Sequence, residues 1–246
     1  MDNRRVFIKN IAIAGAAAMI MPDLARAAEH TDGQFAGDPP KTYLFQGDSI
    51  TDGGRSFDKD WNHVYGQGYA YLITSRLTYD HPGRTDQYFN RGKSGNTVAD
   101  LTSRWQKDTL EIKPDVLSIL IGVNDVHAIV EKGEKASAVD FNNAYDALLA
   151  QTVKALPGIK LILCEPFILP VGMVSKKLNA WTTELKQRQE IVAQLAVKYN
   201  TVYVPLQKAF DRAVLKAPAD HWIWDGVHPM PAGHELIARE WLKRVK

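Results

Sequence analysis

The strongest constraint on how this chain folds is a pair of short, almost wholly apolar runs, residues 116–121 (Val-Leu-Ser-Ile-Leu-Ile) and 159–163 (Ile-Lys-Leu-Ile-Leu). A strand with one wet face alternates apolar and polar residues, whereas a run that is apolar nearly throughout asks for cover on both faces. Further strand-like runs are 42–46, 87–90 and 202–205, and the run from 159 closes on Cys164. Between them lie longer stretches with helical spacing: 69–77, 98–105, 141–156 and 178–199. The third stops at Pro157-Gly158, and the last repeats Leu178, Trp181, Leu185, Val192 and Leu195. A final helix is predicted after Pro231, with Leu236, Ile237, Trp241 and Leu242 on one face. Strands alternating with helices predict an α/β fold, a parallel sheet of about five strands with helices on both sides. Such sheets bind ligands at the carboxyl ends of their strands, so candidate site residues are sought there.

The first 27 residues stand outside this pattern. Arg4-Arg5, the apolar stretch 11–21 and Ala25-Arg26-Ala27 follow the basic, apolar, small-residue order of a secretory signal. Residues 3–9 (Asn-Arg-Arg-Val-Phe-Ile-Lys) resemble the twin-arginine export motif. An apolar stretch of 11 residues is well short of the roughly 20 that cross hydrocarbon. No stable membrane anchor is therefore expected, and the chain reads as exported, to the periplasm or beyond. The segment 28–40, with Gly33, Gly37, Pro39 and Pro40, reads as a flexible entry to one domain over 41–246.

Export also accounts for the charge. Taking Arg4, Arg5, Lys9 and Arg26, and Asp2 and Asp23, from the 30 basic and 28 acidic residues leaves 26 of each. A neutral mature chain without a basic stripe excludes a nucleic-acid partner. The lone Cys164 can form no internal disulfide and lies far from the cleavage point, which excludes lipidation there.

Four segments at strand ends carry candidate chemistry. Gly47-Asp48-Ser49-Ile50 follows the first strand, and a serine there becomes a nucleophile if a base activates it. Alone, Asp48 and Ser49 suit a turn or helix cap equally well. Gly92, in Asn90-Arg91-Gly92, offers close backbone approach and an N–H for an oxyanion. Asn124, in Gly122-Val123-Asn124-Asp125, can turn its amide on developing negative charge or merely build an Asx-turn. Asp225 and His228 are spaced so that the carboxylate can hold one ring nitrogen and leave the other to take a serine proton. With His221 and His234 nearby, a metal site is the alternative.

Taken together, these blocks resemble the SGNH hydrolases, also called GDSL esterases, with Ile50 where leucine is often found. The resemblance runs from about residue 42 to 240. It implies a three-layer α/β/α, flavodoxin-like fold with Ser49 as nucleophile, His228 as general base and Asp225 orienting it. The N–H groups of Ser49 and Gly92 and the side chain of Asn124 would form the oxyanion hole. No metal or organic cofactor is implied.

The resemblance implies a small-molecule or polysaccharide ester as substrate. Its specificity belongs to the strand-end loops 55–68, 126–137 and 165–177, of which the last is apolar enough to cover an acyl chain or to be core. Asp48, Trp61, Trp222 and Trp224 are candidate substrate contacts, the tryptophans serving as platforms for sugar rings or as packing. A carbohydrate acetylesterase is the first expectation. A lysophospholipase, short-chain acyl esterase or thioesterase is the second, and a non-catalytic carbohydrate-binding module on the same fold is the third.

Overall fold

The computed structural model describes residues 39–58 and 63–245, so the export signal, nearly all of the entry segment and Trp61 lie outside the described residues. Five strands, β1 (Thr42–Gly47), β2 (Gln87–Asn90), β3 (Val116–Leu120), β4 (Lys160–Cys164) and β5 (Val202–Val204), form one parallel sheet in the order β2-β1-β3-β4-β5. Helices cover it on both sides, giving the α/β/α architecture read from the sequence. They are α1 (Ser49–Asp52), α2 (Tyr69–Asp80), α3 (Val98–Trp105), α4 (Val123–Val130), α5 (Ala138–Ala155), α6 (Gly172–Lys176), α7 (Leu178–Lys198), α8 (Leu206–Ala213), α9 (Ala219–Trp222) and α10 (Pro231–Val245).

The period-two geometry of a strand explains the two cores. Tyr43 and Phe45 of β1 and Ile162 and Cys164 of β4 enter one apolar cluster with Tyr69, Ile73, Phe210, Ile237 and Trp241. Their neighbours Leu44, Leu117, Ile119, Leu161 and Leu163 enter the other, with Leu101, Trp105, Tyr145, Leu149 and Leu195. Ser118, the polar residue inside an otherwise apolar run, accepts a hydrogen bond from the Trp241 indole at 3.0 Å, and its Oγ lies 3.7 Å from the buried Cys164 thiol.

Two of the predicted specificity loops change character. Segment 126–137 is not a loop at its start, because α4 begins right behind Gly122 and runs through Val130. In segment 165–177, Phe167, Ile168, Leu169 and Val174 are buried core residues and α6 occupies its end. That segment packs into the core. The end of α3 also departs from plain helical spacing. It continues into a single π turn (Gln106–Leu110) closed by a 2.9 Å bond from Glu111 N–H to Gln106 O.

Each buried polar group needs a partner, and Thr152 shows how tightly this is arranged. Its hydroxyl accepts from the Trp105 indole at 2.9 Å and donates to Leu148 O at 2.7 Å, linking α3 to α5. Thr152→Val keeps the shape and strands the indole N–H. Urea unfolding of this variant is expected to lose about 1–3 kcal/mol with an unchanged m-value. Loss below a few tenths of a kcal/mol would show that the Trp105 bond adds nothing.

Candidate active site

The four segments singled out in the sequence meet at the carboxyl rim of the sheet. Ser49 opens α1, immediately after β1 and its cap residue Asp48. Its Oγ lies 2.8 Å from His228 Nε2, and His228 Nδ1 lies 2.6 Å from Asp225 Oδ2. The other Asp225 oxygen accepts from the N–H groups of Val227 (2.9 Å) and His228 (2.7 Å), which locks the carboxylate in one orientation.

The loop carrying this pair is itself pinned. Ile223 and Pro229 form a bridge, Leu169 N–H donates to Gly226 O at 3.0 Å, and Met173 N–H donates to Asp225 O at 2.9 Å. Gly172 lies under it in the left-handed region (φ 54°), where a Cβ would meet Asp225 main-chain atoms at 2.5 Å. Segment 165–177 thus serves as the floor on which Asp225 stands.

Electrostatics separates groups of one type. Burial raises the Asp225 carboxyl, but hydrogen bonds from the His228 ring and from the His228 and Val227 N–H groups outweigh it and hold the group below its ordinary value. The Asp225 hydrogen bond raises His228 against the opposing effect of burial. His234 is the reverse case: burial lowers it to about 4, and its Nδ1 accepts from Tyr69 N–H at 3.2 Å at the start of α2. His234 is therefore a neutral helix cap. Among the described residues no three His, Cys, Asp or Glu side chains are grouped to hold a metal ion.

Asp48 is not placed to contact substrate. It is 1% exposed, with Oδ1 accepting from Ile50 N–H at 3.0 Å and Oδ2 buried without a partner. Burial pushes it up to about 7, opposed by the Ile50 bond and the charge of His228. Its capping role, the plainer reading of the sequence, is the one that holds.

Gly92 lies against α1: a Cβ there would meet Asp52 N at 2.3 Å. Its N–H donates to the Asn90 side-chain oxygen at 2.9 Å, so it can serve an oxyanion only by sharing or redirecting that bond. Asn90 in turn donates to Thr51 O (2.7 Å) and Tyr65 O (2.9 Å). Asn124, in the first turn of α4, spends one amide hydrogen on Asn96 O at 3.0 Å and keeps a second.

The tryptophans divide. Trp222 is half-buried against the core, and its indole donates to Ala217 O at 3.2 Å, so it is packing rather than a platform. Trp224 is 62% exposed, with its ring stacked on His228 at 6.2 Å between centroids. The tying roles of Asn90, Asn96 and Arg104 escaped the sequence because no periodicity or spacing marks a side chain whose partners lie on distant segments or on the main chain.

Family comparison matches residues 45–236 to the GDSL-like lipase/acylhydrolase model. The chain belongs to the GDSL-like lipase/acylhydrolase family. Within it, the acetylxylan esterase of Geobacillus stearothermophilus is 32% identical over 206 residues, covering 82% of this chain and 92% of that one. A crystal structure of that esterase superposes with a TM-score of 0.74 over 83% of this chain and 94% of the other, at 32% identity. A Parabacteroides merdae protein classed as a GDSL-like lipase reaches a TM-score of 0.80 at 38% identity, over 83% and 95% of the two chains. Catalytic mutants of the Geobacillus esterase replace a serine, an aspartate or a histidine by alanine, the last two being three positions apart. As a family member, this chain is a serine ester hydrolase.

The raised Asp48 yields a stability test. Between its ordinary value of 3.8 and about 7, the folded chain binds the proton that the unfolded chain has lost. Asp48 therefore contributes stability that falls as pH rises across that window. Asp48→Asn keeps a capping side chain and removes the titration. The stability of wild type minus that of the variant, from urea melts at a series of pH values, is expected to decline from pH 4 to pH 7. A flat difference would show that Asp48 titrates normally.

Proposed function

We propose that this family member is an exported carbohydrate acetylesterase in which Ser49 is the nucleophile, His228 the general base and Asp225 its orienting carboxylate. The observation that carries the assignment is the unbroken chain of contacts from Ser49 Oγ to His228 Nε2 (2.8 Å) and from His228 Nδ1 to Asp225 Oδ2 (2.6 Å). The serine, aspartate and histidine altered in the Geobacillus catalytic mutants, with the same spacing of three between the last two, support it.

The chemistry follows from these positions. Ser49 Oγ attacks the ester carbonyl carbon while His228 Nε2 takes the hydroxyl proton. The carbonyl oxygen, now negative, is met by the Ser49 N–H, by the free amide hydrogen of Asn124 and by the Gly92 N–H shared with Asn90. Collapse breaks the bond to the alcohol oxygen, which leaves with the proton held by His228. Water then attacks the acyl carbon while His228 takes its proton, the bond from the acyl carbon to Ser49 Oγ breaks, Oγ receives that proton from His228, and the carboxylic acid leaves. Asp225, held anionic by its three donors, stabilises the imidazolium formed in each half.

An acetylated sugar as substrate is supported by the acetylxylan esterase relative and by the exposed Trp224 ring beside His228. Sugar rings stack on such faces through their apolar C–H edges. The long-acyl alternative loses its main support, since Phe167, Ile168, Leu169 and Val174 are core residues. Export rests on the basic, apolar and small-residue order of residues 1–27.

A panel of esters of rising acyl length tests the assignment. Wild type is expected to prefer acetyl sugars, with a serine-directed fluorophosphonate labelling it but not Ser49→Ala, and with kcat of that variant down about 10⁶-fold. Activity that climbs with acyl length would sink the acetylesterase reading, and equal labelling of both proteins would sink the nucleophile. Separately, Trp224→Ala is expected to raise KM for acetylated oligosaccharides up to about tenfold while leaving a small aryl acetate unaffected. Equal effects on both substrates would remove Trp224 from sugar binding.

A further inference from the structure

Arg104 lies in the last turn of α3, on a helix that carries none of the proposed catalytic groups. Its side chain is 14% exposed, and the guanidinium is surrounded by acceptors. Nε donates to Asn96 Oδ1 at 2.7 Å. Nη1 reaches Arg91 O (2.8 Å), Gln46 Oε1 (3.0 Å) and Asp108 Oδ2 (3.1 Å), and Nη2 reaches Gly47 O at 3.3 Å.

These partners have one thing in common besides Arg104. Gln46 and Gly47 end β1, two residues before Ser49. Arg91 immediately precedes Gly92. Asn96 accepts through its main-chain oxygen the amide of Asn124. The guanidinium therefore bonds to the segments carrying two of the three oxyanion-hole candidates, and reaches the third through one residue. The π turn completes the arrangement: Gln46 Nε2 donates to Asp108 O and Thr109 Oγ1, both at 2.8 Å, which turns Gln46 Oε1 toward the guanidinium. An extra residue in the helical turn, common at functional sites, supplies that main-chain oxygen.

We propose that Arg104 is a positioning residue whose planar fork holds the Ser49, Gly92 and Asn124 segments at the spacing an oxyanion requires. This rests on the reading of Ser49 as nucleophile. The plainer role, an i,i+4 ion pair with Asp108, uses one of five acceptors and explains neither the burial nor the two main-chain carbonyls. A lysine cannot substitute, because its three donors radiate from one point and cannot span acceptors on separate segments.

The test uses Arg104→Lys, Arg104→Ala and Asp108→Asn beside wild type, with kcat, KM and the rate of Ser49 phosphonylation measured for each. Phosphonylation builds a tetrahedral adduct and so reads the same pocket as the ester reaction. Arg104→Lys is expected to lose about 10²-fold in kcat, as for a misplaced reacting group, with phosphonylation slowed in parallel and KM nearly constant. Added guanidinium ion is expected to restore part of the activity of Arg104→Ala, and Asp108→Asn to stay within about twofold of wild type. Should the Arg104 variants fail to fold, Asn96→Ala, which removes one acceptor and keeps the guanidinium, is expected to lower kcat about tenfold. A folded Arg104→Lys with wild-type kcat, a change confined to KM, or Asp108→Asn as damaged as Arg104→Lys would each overturn the proposal; so would wild-type kcat in Asn96→Ala. A wild type that the fluorophosphonate does not label overturns the Ser49 reading and the clamp together. Labelling lost in Ser49→Ala but equally fast in wild type and Arg104→Lys overturns the clamp alone.

Discussion

The site depends on the register of β1 between its two parallel neighbours. Gly47 pairs with Leu120, so β1 and β3 end level, while Phe45 pairs with Asn90, so β2 ends two residues earlier. Main-chain pairing continues past β2 to the end of β1, with Arg91 N–H on Phe45 O (2.8 Å) and Lys93 N–H on Gly47 O (3.1 Å). Because parallel strands run the same way, everything emitted from their carboxyl ends arrives on a single rim. The segments bearing Ser49, Gly92 and Asn124 are neighbours for that reason, although the chain separates them by whole helices.

Environment then differentiates side chains that the sequence writes identically. Asp48 and Asp125 are raised, to about 7 and about 6, because burial dominates; Asp225 is lowered because three donors converge on it. Only Asp225 is prepared to face a growing positive charge as an anion. The histidines divide in the same way: His228 has a carboxylate and is raised, whereas His234 has burial and one main-chain N–H and is lowered to about 4. Pairs pushed apart in this way mark which member can exchange protons near neutral pH.

Much of the scaffold was legible in the sequence, because continuous apolar runs such as 116–120 leave few options beyond a strand covered on both faces. The Ser49–His228–Asp225 contacts were legible because spacing and strand-end position both constrain them. Segment 165–177 was harder. Its apolar residues look the same whether they cover a ligand or fill the core, and only the burial of Phe167 and Val174 distinguishes the two. Asp48 presented the same difficulty, since a capping carboxylate and a ligand-facing one differ only in direction. Arg104 was invisible, because two of its acceptors are main-chain carbonyls and two of its side-chain partners, Gln46 and Asn96, lie on other segments that only the fold brings together.

The hydrogen bond between Ser49 and His228 joins positions 179 residues apart. A contact of that span cannot form until residue 228 has been synthesised. Under the proposed assignment, a growing polypeptide therefore carries an inert serine until its C-terminal loop has emerged and docked. Hydrolytic power arrives all at once, on completion of the molecule, and a chain cut short anywhere before residue 228 has none. The order of synthesis thus works as a safety catch written into the topology.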